Sequence, residues 1–176
     1  MKKMGRGLLA LLLGAALLLH GCGSRPEQIP SEYEVGERVS THWFEFQVTE
    51  ARTADSYNGY LAPEGTRLAV CTLSLENTFD EAVPMNRGDF VLVWEADEEV
   101  ASDQGITGAY AMERYSVKQL PDEYTLEREE TRSGTLVFVV PDGVERAALR
   151  FQEYYAEGEQ GSGYTPGACY QVWFEL

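Results

Sequence analysis

Arg67-Leu68-Ala69-Val70-Cys71-Thr72-Leu73-Ser74-Leu75-Glu76-Asn77 is the stretch whose reading decides the fold. Ala69, Cys71, Leu73 and Leu75 fall on one face, with Thr72 and Ser74 on the other. That period of two belongs to a strand with one buried side. Just upstream, Trp43–Glu50 (WFEFQVTE) repeats it, with Phe44, Phe46 and Val48 alternating with Glu45, Gln47 and Thr49. Downstream, Phe90–Trp94 (FVLVW) and Leu136–Val140 (LVFVV) are apolar on both faces, as interior strands often are. Ala147, Leu149 and Phe151 share a side, as do Tyr170, Val172 and Phe174.

Between these runs lie turn residues: Asn58-Gly59, Pro84, Arg87-Gly88, Pro121-Asp122, Pro141-Asp142-Gly143 and the glycine-rich Gly158–Gly163. No stretch after Cys22 carries a sustained apolar i, i+3, i+4, i+7 stripe. The polar interval Ser102–Glu130 has room for a short helix or turn around Ala109–Tyr115. Short strands with no helices between them predict an all-β, antiparallel sandwich rather than an α/β sheet.

Ahead of this domain the chain opens MKKMGRGLLALLLGAALLLHGCGS. Lys2, Lys3 and Arg6 precede an uncharged apolar run from Gly7 to Leu19, too short to span a bilayer as a helix. The run ends in Leu18-Leu19-His20-Gly21-Cys22, which resembles the bacterial lipobox, with His20 an unusual occupant of its tolerant position. The resemblance implies cleavage between Gly21 and Cys22 and lipid attachment to the Cys22 thiol. Residues 1–21 are thus expected to be a lipoprotein signal peptide. Two acyl chains would hold the product stably where one would not. Residues 22–32, with Pro26 and Pro30, read as a flexible tether. Residues 33–176 read as the folded domain, long enough for a core of its own.

Further motifs occur in a telling order. Val35-Gly36-Glu37 opens the domain, then Phe44-x-Phe46-x-Val48, Leu73-Ser74-Leu75-Glu76-Asn77, Asp89-Phe90-Val91-Leu92 and Gly134-Thr135-Leu136-Val137-Phe138-Val139-Val140-Pro141. Across roughly residues 33–155 this order resembles small Gram-positive lipoproteins with an uncharacterised extracellular domain. That domain is in turn similar to the immunoglobulin-like immunoprotective secreted antigens of mycobacteria. The resemblance implies an immunoglobulin-like antiparallel β-sandwich on the outer face of the cell membrane, and it brings no catalytic residues. Each motif also has a framework reading. Asn77, for example, can bond the backbone of the turn that follows its strand.

Charge narrows the partners. The chain has 29 acidic and 14 basic residues, a formal net charge of −15, and every acidic residue lies beyond Cys22. Such a surface repels nucleic acid and anionic headgroups while favouring cationic partners; simple solubility explains it as well.

Catalytic chemistry finds few candidates. Beyond the leader His42 is the only histidine, so a histidine-built zinc site is excluded, and Cys71 with Cys169 cannot supply four thiolates. No Gly-x-Ser-x-Gly elbow accompanies His42. The acidic groups Asp97-Glu98-Glu99 and Glu127/Glu129-Glu130 read as solvated turns, and Asp55-x-x-Asn58-Gly59 as a turn with at most a weak cation site. Gly158–Gly163 lacks the lysine and context of a phosphate loop and reads as a hairpin tip. The expectation is no catalytic residue, no metal and no cofactor.

Cys71 and Cys169 are candidates for a disulfide, since two cysteines remain after Cys22 is lipidated. Strand parity opposes the pairing, because Cys71 shares the face of Leu73 and Leu75 whereas Cys169 lies opposite Tyr170, Val172 and Phe174. Tyr154, Tyr155, Tyr164 and Tyr170 gather near the C-terminus, a composition found in binding edges and in sandwich packing alike.

Two functions follow. The first is a membrane-anchored, non-catalytic immunoglobulin-like module that binds protein or cell-envelope material. The second is a small-molecule or cation-binding accessory of a transport or signalling system. A concave pocket lined by acidic and aromatic groups would favour the second.

Overall fold

The computed structural model describes residues 29–95, 104–110, 116–156 and 163–176. Among them, thirteen strands run in chain order: β1 (Ser31–Glu34), β2 (Arg38–Ser40), β3 (Phe44–Ala54), β4 (Ser56–Tyr57), β5 (Tyr60–Leu61), β6 (Thr66–Asn77), β7 (Val83–Asn86), β8 (Phe90–Glu95), β9 (Gln104–Gly108), β10 (Glu123–Leu126), β11 (Thr131–Pro141), β12 (Arg146–Ala156) and β13 (Tyr164–Glu175). A 3₁₀ turn, Arg87–Asp89, separates β7 from β8.

Two sheets face each other. One has the order β11-β6-β3-β2 and the other β1-β13-β12-β8-β9; β10 pairs with β7 and β4 with β5. Pairing is antiparallel except for β1, which runs parallel to β13 from Ser31 opposite Tyr170. The chain crosses between the two sheets from β1 to β2, from β6 to β8, from β9 to β11 and from β11 to β12. In immunoglobulin terms β3, β6 and β11 stand where strands A, B and E do, while β13, β12, β8 and β9 stand as G, F, C and C′. The protein is an all-β, immunoglobulin-like sandwich.

The alternation in Arg67–Asn77 is what builds it. Ala69, Cys71, Leu73 and Leu75 enter the main core, where they join Phe44, Phe46 and Val48 from β3 and Leu149, Phe151, Val172 and Phe174 from the opposing sheet. Phe44, Phe46, Phe90 and Phe151 interlock at its centre, with ring centroids as close as 4.9 Å between Phe44 and Phe151. Edge-to-face contacts of this kind add to the area the rings bury.

Two sequence expectations are corrected, and one left open is decided. Leu136–Val140 lies in β11, which ends its sheet rather than running inside it. Its outer face is still buried, because Val137 packs with Tyr57, Leu68 and Val70 beneath the β4–β5 hairpin. Its free edge is bonded by residues 118–120, with Thr135 N donating to Lys118 O at 2.9 Å and Leu120 N to Thr135 O at 3.0 Å. Gly134 permits that contact, since a Cβ there would lie 2.8 Å from Leu120. Second, β1 begins at Ser31, so Ser31 and Glu32, read as tether, are strand residues.

Third, the disulfide between Cys71 and Cys169 is not made; both thiols are buried and free. Cys71 sits between the sheets, whereas Cys169 alternates with core-facing Tyr170 and lies on the outer side of β13. Cys71 does occupy the strand that carries the first cysteine of an antibody domain, but β12, where the second would stand, has none. Burial pushes the Cys71 thiol up to about 12, which keeps it protonated and inert.

Turn chemistry is local. Asn58 and Gly59 both take positive φ, 46° and 90°, the two-residue turn that joins β4 to β5. Backbone conformation thus accounts for the Asp55–Gly59 motif.

Candidate functional site

One end of the sandwich departs from plain apolar packing. On β13, Gly167 and Ala168 together oppose the single residue Glu153 of β12, a β-bulge in the register between Gln152 and Tyr154. Glu153 is 3% exposed and faces inward. Burying a lone carboxylate is costly, and here four donors converge on it. Oε1 accepts from His42 N at 2.8 Å and Tyr170 OH at 3.1 Å. Oε2 accepts from Tyr155 OH at 2.7 Å and Ala168 N at 3.3 Å.

Burial alone would raise this carboxyl, but the donors from Tyr155, His42, Tyr170 and Ala168 together hold it below the usual range. Tyr155, hydrogen-bonded to the carboxylate, is pushed up to about 12 and stays a donor. Gly167 is required at the bulge, because a Cβ would lie 2.3 Å from the Tyr155 ring.

Through His42 N, Glu153 ties the turn before β3 to the opposing sheet. That turn is further closed by Thr41, whose hydroxyl donates to Phe44 O and accepts from Phe44 N. The result is a fixed aromatic group. Trp43 lies 5.4 Å from both His42 and Tyr155, and Phe79 lies 5.6 Å from His42.

Phe79 is held from below by Asn77, which is buried at the end of β6. Its Oδ1 accepts from Phe79 N, and its Nδ2 donates to Glu81 O and Leu126 O, each at 2.9 Å. The turn-forming role expected of Asn77 is therefore present, and it aims the Phe79–Glu81 loop.

A cleft of about 400 Å³ opens beside this group. Phe44, Phe151, Val83 and Met85 of the core floor it; Trp43, Phe79 and Tyr154 form aromatic walls; Glu81 and Asp89 bring carboxylates. Asp89 ends the 3₁₀ turn and accepts from Asn86 N and Asn86 Nδ2, both at 2.7 Å. Burial pushes its carboxyl upward, against the pull of the Asn86 donors. Among the described residues Asp89 has no cationic partner, and no basic side chain lines the cleft.

A broader depression of about 1140 Å³ shares Pro84 and Met85 with it but is lined by Arg87, Asp122 and Glu123. There Arg87 and Asp122 already pair at 2.8 Å.

Cys22, Gly21, the leader, residues 23–28 of the tether, Asp97-Glu98-Glu99, residues 111–115 of the expected short helix or turn and residues 158–162 of the glycine-rich tip lie outside the described residues. Glu127 and Glu130 cap the turn before β11, with Glu127 N donating to Glu130 Oε2. Of the tyrosine group, Tyr154 borders the cleft, Tyr155 and Tyr170 bond Glu153, and Tyr164 stays exposed. Sequence reading missed Glu153, Phe79, Glu81 and Asp89. Only Glu153 carried a signal: an acidic residue at the inward position two beyond Phe151.

Among the described residues no helix is long and apolar enough to cross a membrane. Comparison with solved structures gives the same fold at low identity. The yjhA protein of Bacillus subtilis is 14% identical, with a TM-score of 0.57 over 80% of this chain and 99% of that one. ycdA, a candidate lipoprotein of Bacillus subtilis subsp. subtilis str. 168, is 17% identical with a TM-score of 0.53. That match covers 79% of this chain but only 38% of ycdA. No curated protein sequence matches the chain. Residues 33–160 match the domain of unknown function DUF4352, and the chain belongs to that family.

Proposed function

We propose that the protein is a lipid-anchored, extracytoplasmic, non-catalytic binding lipoprotein that takes a small ligand in the cleft between Trp43, Phe79 and Tyr154. The cleft carries this reading. It is concave, floored by core residues and walled by aromatic rings, and its volume falls within the roughly 300–1,000 Å³ of ligand pockets. Its polar groups are few and convergent, as in sites that orient a ligand rather than transform it. The lipobox-like Leu19-His20-Gly21-Cys22 supports an anchor at Cys22 on the outer face of a Gram-positive membrane. The likeness to ycdA supports the same address. Such a module would serve transport or signalling by presenting its ligand to a membrane partner.

A second reading, recognition of a protein or envelope polymer, draws on Tyr154 and Tyr164, which are 56% and 69% exposed on the β12–β13 hairpin. The likeness to the mycobacterial secreted antigens rests on sequence motifs alone and adds no ligand.

Two measurements test the proposal. Cys22→Ala should abolish fatty-acid labelling and release the protein from membranes; a variant that still labels refutes the anchor. In a metabolite and cation screen, at least one compound should raise the Tm by several degrees, as expected for a ligand well above its Kd. Trp43→Ala should erase that rise. Stabilisation untouched by Trp43→Ala would place binding elsewhere, and none at all would favour the polymer reading.

A further inference from the structure

Granting that the cleft is a binding site, we propose that its ligand is a small organic cation, an alkylated or aromatic ammonium, seated against Trp43, Phe79 and Tyr154 and balanced by Asp89 and Glu81. The chemistry of the lining excludes the other classes. An anion would meet two carboxylates and no basic side chain. A neutral apolar ligand would take further water from half-buried Asp89 and offer it no counter-charge. A hard metal ion needs six or more oxygens, and both oxygens of Asp89 are already engaged by Asn86.

A weakly hydrated organic cation suits both halves of the lining. Aromatic faces attract cations through their quadrupoles, and the carboxylates supply the counter-charge. Entry is favoured from far off, because the chain carries a formal charge of −15. The cleft is also preformed. Glu153 and Asn77 hold the segments of Trp43 and Phe79 in place without a ligand, so little ordering is lost on binding.

The test compares choline with 3,3-dimethyl-1-butanol, in which carbon replaces the charged nitrogen at nearly the same shape. Calorimetry on the full-length protein in a maltoside detergent avoids a competing ammonium headgroup. Choline should bind saturably and at least tenfold more tightly than the alcohol. Trp43→Ala and Glu81→Gln should each weaken it several-fold, while Glu64→Gln, in the distant β5–β6 turn, should leave it unchanged. Glu81 is exposed, so its variant tests charge without endangering the fold.

Equal binding of the alcohol would overturn the cation assignment and keep the cleft. Binding of choline that Trp43→Ala and Glu81→Gln leave intact would overturn the assignment, as would no binding of choline at millimolar concentration. The cleft itself fails only if the wider screen finds no ligand sensitive to Trp43→Ala.

Discussion

Glu153 and Asp89 are two carboxylates at the same end of the sandwich, and they are treated in opposite ways. Glu153 receives four hydrogen bonds from three segments of chain and is held below the usual carboxylate range. Asp89 receives two, both from Asn86, and burial pushes it upward. Glu153 is buried and Asp89 half-buried, and only Glu153 has donors enough to offset its burial. The first braces the fold. The second leaves unbalanced charge where a ligand can supply the balance, the usual arrangement when a site trades stability for binding.

Replacing Glu153 should give the larger effect. Glu153→Gln loses the charge and turns one acceptor into a donor facing donors, so stability at neutral pH should fall by about 2–3 kcal/mol. Its pH dependence has a definite sign. A carboxyl lowered in the folded state contributes stability above its ordinary value of 4.5, and that contribution is lost as pH falls through the lower native value. Denaturant unfolding of the wild type between pH 6 and 2 should show this loss, and Glu153→Gln should lack it. An unchanged acid limb would break the contrast.

The pH dependence of Asp89→Asn should be weaker and run in the other direction. A carboxyl raised in the folded state costs stability that sets in as pH rises past its ordinary value of 3.8. The variant should therefore gain on the wild type between pH 3 and 7, with a total change of under about 1 kcal/mol. A gain of the opposite sign would mean that Asp89 is compensated after all.

Much of the framework was legible beforehand. Alternation in Arg67–Asn77 and Trp43–Glu50 located two central strands, Asn58-Gly59 its hairpin, and Asn77 its turn. Four-residue strands such as β7 and β10 were not, because each is too short to show a pattern and they pair with each other across 37 or more residues of chain. The cleft was illegible for the same reason. Trp43, Phe79 and Asp89 belong to three separate connections and Tyr154 to β12, and only the crossing of chain between the sheets assembles them. Edge strand β11 reads as interior because a hairpin and residues 118–120 cover what its sheet does not.

The two cysteines give the smallest expected effect. Reductant should leave electrophoretic mobility unchanged, and two thiols should titrate on unfolding of the Cys22-lipidated protein. A reductant-sensitive shift would contradict the placement of Cys71 inside and Cys169 outside.

The central claim is that the cleft, and not another face, receives the ligand. Three tryptophans report on it separately: Trp43 walls the cleft, whereas Trp94 and Trp173 lie on β8 and β13 outside its lining. The most direct measurement is the indole N–H spectrum of ¹⁵N-labelled protein titrated with choline or the best compound from the screen. The account predicts a saturable shift of the Trp43 signal, with those of Trp94 and Trp173 nearly still. A moving Trp173 beside a motionless Trp43 would contradict it.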